Sequence, residues 1–269
     1  MTSKHLWALL ASTFLWSQSP PTSVNVFSQN ISQWQILLDR GLSTNVREDV
    51  LVQIDKYRGS ASSNPNDAVT LIALKKVLSR AYILDGNWEE GLRYLDEALE
   101  SSRDNVQTVE ELYAVSKKDH ENAIKTAKES IDKYNTYLRD LQSVRQLTSD
   151  QKRRKQELEI FINDQRLRIT QSMNSLDVMK ETMKSLRQDK DEIALRILSW
   201  RVLLEQEKKD KSKYKSTKAF IDARISQIKS DTIKPLFDRR SYAARLVLLD
   251  PAHVDARSLQ TALLNTSIQ

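Results

Sequence analysis

Two stretches of the chain place apolar residues at alternating intervals of three and four, which is the spacing of a coiled-coil seam. Sparser apolar positions at Ile162 and Ile169 precede the second seam. No glycine or proline occurs in residues 92–234, and their absence favours long helices. The first seam consists of Ile124, Ala127, Ile131, Tyr134, Leu138 and Leu141, and the second of Leu176, Met179, Met183, Leu186, Ile193, Ile197, Trp200 and Leu204.

The segment between the seams carries a helix-start signature. Thr148, with Gln151 three residues later, matches a capping box. We therefore predict an antiparallel coiled-coil hairpin over residues 105–189, which reverses at 146–150. The alternative is a single uninterrupted helix over 105–205 that dimerises along its seams, so the chain is expected to be a monomer or a coiled-coil dimer.

Residues 193–204 are apolar on more than one stripe, which is typical of a helix buried on several sides. We expect the returning helix to join a helical body there. The charged segment 205–213 is predicted to be an exposed turn, and a closing helix pair is predicted at 237–249 and 252–264. Between them we predict a shorter helix with four residues on one face, namely Phe220, Ile221, Ile225 and Ile228.

Residues 78–100 have the sequence LSRAYILDGNWEEGLRYLDEALE, in which small and large apolar residues alternate around a glycine turn. Gly91 and Ala98 would let two helices approach closely, while Gly86 would permit a tight reversal. The pattern resembles the tetratricopeptide repeat, a helix–turn–helix unit of about 34 residues. The matching positions are Leu78, Ala81, Tyr82, Gly86, Trp88, Gly91, Leu95 and Ala98.

The resemblance covers about residues 72–105, and a fainter match at about 240–260 contains Asp250-Pro251, as at a junction between repeats. It implies a small tetratricopeptide-like body over 31–104 and 190–265, from which the hairpin projects. The expected fold class is therefore all-α. Such repeats commonly present a groove for peptides or helices, so the resemblance also implies protein–protein interaction.

An apolar run at residues 6–16 follows Lys4 and precedes a polar, proline-containing segment. This order is typical of a secretory signal peptide, which we place at residues 1–23. Export to a bacterial periplasm or cell envelope, or secretion, would follow, with no transmembrane segment in the mature chain. The alternative is an amphipathic N-terminal helix packed on the body of a cytoplasmic protein.

The amino-acid composition limits which kinds of catalytic and metal-binding site the chain can form. The chain has no cysteine, which excludes disulfides, thiolate catalysis and cysteine metal sites. Its three histidines show no ligand spacing, and its four glycines do not form a phosphate-binding loop. We therefore expect no catalytic residue, metal ligand or cofactor. The net charge of +6 is spread among many acidic residues, so no specific nucleic-acid binding is expected.

One charge cluster stands near the predicted turn. If the hairpin forms, its cations lie at the tip, where they could contact an anionic surface or an acidic partner. The cluster consists of Arg145, Lys152, Arg153, Arg154 and Lys155. We expect a non-enzymatic scaffold or adaptor with a protein partner. The alternatives are an anionic-surface or membrane-binding module that acts through the basic tip, and a self-assembling structural coiled coil.

Overall fold

The computed structural model describes residues 22–59, 65–231 and 233–266. Within these residues the chain is all-α, as predicted, with eight helices and no strand. The predicted signal peptide lies outside the described residues except for its last two positions, which begin the first helix. The helices are α1 (Thr22–Asp39), α2 (Ser43–Arg58), α3 (Pro65–Leu84), α4 (Trp88–Gln142), α5 (Ser149–Lys211), α6 (Thr217–Ser230), α7 (Leu236–Leu249) and α8 (Val254–Leu264).

The chain forms two compact units. The body contains the described residues up to Ser101 and from Ile193 onward, and the hairpin is Ser102–Glu192. Helices α4 and α5 each contribute residues to both units. The sequence-based boundaries were residues 105 and 189.

The turn between α3 and α4 brings two helices of the body into close contact. Gly86 has a φ of +78°, and the Asn87 N–H donates to the Tyr82 carbonyl at 2.9 Å, which closes the end of α3. A Cβ atom at Gly91 would lie 2.6 Å from the Ile83 side chain. The predicted roles of both glycines, a tight reversal and a close helix approach, are confirmed.

Trp88, the first residue of α4, lies at the centre of the body and is fully buried. Its indole N–H donates to the Ser241 hydroxyl at 2.8 Å, and that hydroxyl donates to the Ile83 carbonyl at 2.6 Å. The ring also packs on Trp200 and Tyr242, with centroid distances of 5.3 and 4.9 Å. Helices α3, α4, α5 and α7 therefore meet at one side chain.

Aliphatic clusters complete the body on either side of Trp88. In α2 the residues Val46, Val50 and Ile54 are buried at intervals of four and pack against α3, as one stripe of an amphipathic helix does. The predicted apolar face of α6 is confirmed, because all four of its residues are buried. They pack with α7 and α8 in a cluster that contains Phe220, Ile221, Ile225, Ile228, Ala243, Leu246, Ala256, Leu259 and Leu263.

The hairpin is an antiparallel pair of helices within one chain. Helix α4 ends at Gln142 and α5 begins at Ser149, so the alternative of an uninterrupted helix over 105–205 is wrong. Glu110 pairs with Arg187 at 2.8 Å, and Tyr134 stacks on Phe161 at a centroid distance of 5.7 Å. From Glu110 to Tyr134 the chain advances 24 residues along α4, while the contact partners on α5 go back 26 residues, from Arg187 to Phe161. The two helices are therefore antiparallel. The residues of both predicted seams are half-buried or buried.

The predicted capping box at the turn is confirmed. The Thr148 N–H donates to the Gln151 side-chain oxygen at 2.9 Å, and the Gln151 N–H donates to the Thr148 hydroxyl at 3.3 Å. Two backbone donors at the start of α5 are satisfied reciprocally, which explains how a new helix begins without glycine or proline. The reversal occupies 143–148, so α4 ends three residues before the predicted position.

The prediction of an exposed turn at 205–213 was wrong, because α5 continues as a helix to Lys211. Two acidic residues of this segment are fixed by partners on other helices. Glu207 pairs with Arg245 of α7 at 3.0 Å, and both side chains are nearly buried. Asp210 pairs with Arg224 of α6 at 2.5 Å. These contacts place both carboxylates against the body.

The turn between α3 and α4 provides the first prediction. We expect Gly86→Ala to lower the free energy of unfolding by roughly 3 kcal/mol or more, since it combines a strained φ with overpacking. The added Cβ would lie within 2.6 Å of three backbone atoms of Ala244 and Arg245. Urea denaturation followed by tryptophan fluorescence measures the change.

The control is Gly59→Ala at the end of α2. Gly59 has a φ of −74°, and a Cβ there would meet no atom within 4 Å. This variant should change the free energy of unfolding by no more than about 1 kcal/mol. Equal losses in the two variants would show that the α3–α4 turn does not pack on α7.

Candidate binding surfaces

The repeat-like positions lie inside the body. Their side chains are buried or half-buried, and Tyr82 stacks on Tyr94 with a centroid distance of 5.5 Å. These residues therefore build the helix pair and do not themselves form a surface for a partner. The buried side chains among them are Leu78, Ala81, Trp88, Leu95 and Ala98.

An apolar stripe on α5 lies open to solvent in the body. Leu195, Leu198 and Val202 are 64%, 60% and 55% exposed. The prediction that residues 193–204 are buried on several sides was therefore wrong. The face that carries Ile193 and Ile197 is buried against the Trp88 cluster, whereas the opposite face is open. We call Leu195, Leu198 and Val202 the α5 stripe.

Contacts of α5 with α4 fix its rotation and hence the exposure of the stripe. A helix turns by about 100° per residue, so Ile197 and Leu198 point in different directions. Arg201 donates two hydrogen bonds to the Asp96 carboxylate of α4, at 2.7 and 2.8 Å. The Ser199 hydroxyl donates to the Leu195 carbonyl at 2.9 Å. Ser199 and Arg201, which lie beside the stripe, are thus already bonded.

An ion-pair network lies beside the Trp88 cluster. Arg245 donates to Glu89 and to Glu207, and its guanidinium lies 5.3 Å from the Trp88 ring centroid. Burial alone would lower the pKa of Arg245, but hydrogen bonds to the two carboxylates raise it above its ordinary value. Burial opposes ionisation of Glu89 as well, yet the contacts with Arg245 lower the pKa of that carboxyl. The network joins α4, α5 and α7.

A groove near the end of α1 is also lined by charged side chains that contact other parts of the body. It is lined in part by Asp39, Arg240 and Leu264. Arg240 is buried and donates to the carbonyls of Leu263 at 2.9 Å and Thr266 at 2.8 Å, and Asp39 pairs with Arg80 at 2.8 Å. The charged groups of this groove therefore hold the ends of helices.

The predicted basic residues all lie in the hairpin. Arg145 is in the turn, and the others occupy the first two turns of α5. Arg153 lies 3.6 Å from Glu157 and remains 74% exposed, and Lys155 lies 3.9 Å from Glu159. In the described part of the chain the three remaining cations, Arg145, Lys152 and Arg154, are exposed and have no ion-pair partner.

Charge is concentrated around this turn. Residues 139–155 contain six cationic and two acidic side chains, which gives +4 of the chain's net +6. Cations in the first turn of a helix are mildly unfavourable, because the helix dipole places positive charge there. In the first turn of α5 only Lys152 is cationic and Asp150 opposes it, so this cost is small. We call residues 139–155 the basic turn.

Comparisons of the chain with protein-family models, with curated proteins and with solved structures each found no match. Among the described helices, none combines the length and the apolar character that crossing a bilayer requires.

Proposed function

We propose that this protein is a non-enzymatic adaptor whose body binds an amphipathic helix of a protein partner along the α5 stripe. The observation that carries the proposal is the exposure of Leu195, Leu198 and Val202 on the open face of a helix whose other face is buried. The resemblance of residues 78–100 to a tetratricopeptide repeat supports the same class of function, since such repeats commonly bind peptides or helices.

The spacing of the stripe favours a helical partner. Leu195, Leu198 and Val202 are separated by three and four residues, which is the interval that a second helix with the same pattern would match. An extended peptide would instead require residues that alternate with period two, or an open sheet edge. The partner helix is therefore expected to carry apolar residues at intervals of three and four.

The expected strength of this contact can be bounded. Full burial of one large aliphatic side chain contributes about 1.5–3 kcal/mol, and these three side chains are roughly half exposed. The stripe alone would then contribute on the order of 3–4 kcal/mol, which is no more than the freedom lost on association costs. A specific partner is expected to contact additional residues beside the stripe.

Export is part of the proposal and rests on the apolar run at residues 6–16. A protein that leaves the cytoplasm would meet its partner in the bacterial periplasm or cell envelope, or outside the cell. Fractionation of the host cells with an antibody against the body tests this location, and retention of the whole chain in the cytoplasm would contradict it.

We predict that Leu195→Glu combined with Leu198→Glu abolishes partner binding without unfolding the body. Both side chains are exposed, so the free energy of unfolding should change by about 0.5 kcal/mol or less. A charge placed in an apolar interface should weaken binding by at least roughly 2 kcal/mol, or about thirtyfold in Kd. A protein captured from the host extract is purified, and its affinity for each variant is measured by calorimetry.

The matched control is Val52→Glu, which introduces the same charge at a residue of α2 that is 67% exposed. It should retain the wild-type affinity. Equal binding by the wild type and the α5 double variant would refute the stripe as the docking surface. Light scattering over a range of concentrations tests whether the stripe binds a second copy of this chain. If the wild type and Val52→Glu self-associate but the double variant does not, the occupant is a second copy. That result would contradict a separate partner.

A second candidate function is binding to an anionic lipid surface through the basic turn. The specific observation in its favour is the net charge of +4 within residues 139–155. Arg145, Lys152 and Arg154 are also exposed and have no ion-pair partner among the described residues. A positive surface of this kind attracts anionic lipids by about 1 kcal/mol for each Lys or Arg that comes near them.

For this candidate we predict that Arg153→Glu with Arg154→Glu weakens binding to phosphatidylglycerol vesicles by two orders of magnitude or more, on the order of 1 kcal/mol per charge. Added salt should weaken binding of the wild type steeply, because the attraction is screened. Vesicle sedimentation measures both effects. Lys209→Glu with Lys211→Glu changes the net charge equally and should leave binding nearly intact. Binding that survives both the Arg153/Arg154 reversal and high salt would refute this function.

A further inference from the structure

We propose that the body binds a divalent transition-metal ion, of the Zn²⁺ class, between α6 and the start of α8. The ligands would be Asp222, His253 and Asp255, whose ligand atoms lie within 4.8 Å of one another. Asp222 is in α6, His253 is the N-cap residue of α8 and Asp255 is in the first turn of that helix.

The imidazole of His253 carries the main evidence. Its side chain is only 5% exposed, and its Nε2 atom is buried without a hydrogen-bond partner in the described structure. Nε2 lies 3.0 Å from Asp222 Oδ1, a contact that is not a hydrogen bond in the described structure. Buried polar atoms without a hydrogen bond are rare, and a bound ion is one of the few explanations for them.

The geometry suits a small ion with little rearrangement. Zn²⁺ bonds of about 2.0–2.1 Å to nitrogen and oxygen place tetrahedral ligands roughly 3.3 Å apart. The 3.0 Å separation of His253 Nε2 and Asp222 Oδ1 is close to that ligand-to-ligand distance. Asp222 and Asp255 are exposed, so their carboxylates have room to adjust and water has access to the remaining coordination position.

Packing fixes the backbone that carries the ligands before an ion arrives. Ile221 and Ala256, the chain neighbours of Asp222 and Asp255, are both fully buried in the cluster shared by α6 and α8. The backbone on each side of the site is therefore fixed by apolar contacts that do not depend on a metal. Preformed ligand positions reduce the entropy lost when the ion binds.

Binding of an ion at His253 Nε2 has a free-energy cost at Nδ1, the other nitrogen of the imidazole ring. The Ala256 N–H donates to His253 Nδ1 at 3.4 Å, so in the metal-free form the ring proton is on Nε2. An ion at Nε2 requires this proton to move to Nδ1, which removes the cap of α8. Such a cap is worth about 1 kcal/mol, and the long 3.4 Å contact is a weak one. Two donors, Nδ1–H and the Ala256 N–H, would then face each other without an acceptor, at about 1–3 kcal/mol each, and the metal bonds must offset this cost.

The ligand set selects the class of ion. Imidazole nitrogen suits Zn²⁺, Co²⁺ and Ni²⁺, whereas Mg²⁺ and Ca²⁺ prefer sites made only of oxygen. A bound ion would cross-link α6 to α8 and stabilise the C-terminal part of the body. The inference is independent of the proposed partner binding, since none of the three ligands belongs to the α5 stripe or to the basic turn.

The test uses the full, untagged chain titrated with ZnCl₂ and, for its visible absorption, CoCl₂. We expect one ion per chain, a rise in melting temperature with Zn²⁺ and no rise with MgCl₂. His253→Asn removes the imidazole but retains a good helix cap, and it should abolish the response without unfolding α8. Asp222→Asn should weaken Zn²⁺ binding by roughly tenfold or more.

His120→Asn and Asp177→Asn are the matched controls, because they make the same chemical changes in the hairpin. Both should bind Zn²⁺ with the wild-type affinity. The proposal is overturned if the wild type shows no saturable binding, in which case the Asp222 carboxylate satisfies Nε2. It is equally overturned if His253→Asn binds Zn²⁺ as tightly as the wild type, which would indicate nonspecific surface binding.

Discussion

The burial of Trp88 is the interaction on which the body depends. An indole N–H left without a partner in the interior costs about 1–3 kcal/mol, and the hydroxyl of Ser241 removes that cost. The same hydroxyl satisfies the Ile83 carbonyl, while Trp200 and Tyr242 cover the ring. Four helices are thus positioned by one side chain, and truncating a tryptophan of this kind typically costs 3–5 kcal/mol.

The functional surface follows from this arrangement. Contact with Trp88 fixes which face of α5 is buried, and the bidentate pair of Arg201 with Asp96 holds the same rotation from the flank. The opposite face must then be open, and it carries Leu198 and its two neighbours of the α5 stripe. The buried pair of Arg245 with Glu207 extends α5 to Lys211 and secures the end of the helix. Exposure of the stripe is therefore a consequence of core packing.

The sequence predicts those features of the structure that depend on contacts between residues close together in the chain. Thr148 and Gln151 predicted the start of α5 because a capping box needs only residues three apart. The apolar composition of residues 193–204 did not distinguish two buried faces from one buried and one exposed face, since that depends on which helices are nearby. Glu207 was assigned to a turn because its partner, Arg245, lies 38 residues further along the chain.

The proposed function depends on the α5 stripe being open to solvent in the folded protein. Since the chain has no cysteine, a single Leu198→Cys substitution reports solvent access directly through its rate of alkylation. The account predicts a rate near that of the unfolded chain, and a rate for Ile197→Cys that is slower by roughly a hundredfold or more because reaction there requires local unfolding. Equal protection of the two positions in the full-length protein would contradict it, since the stripe would then already be covered.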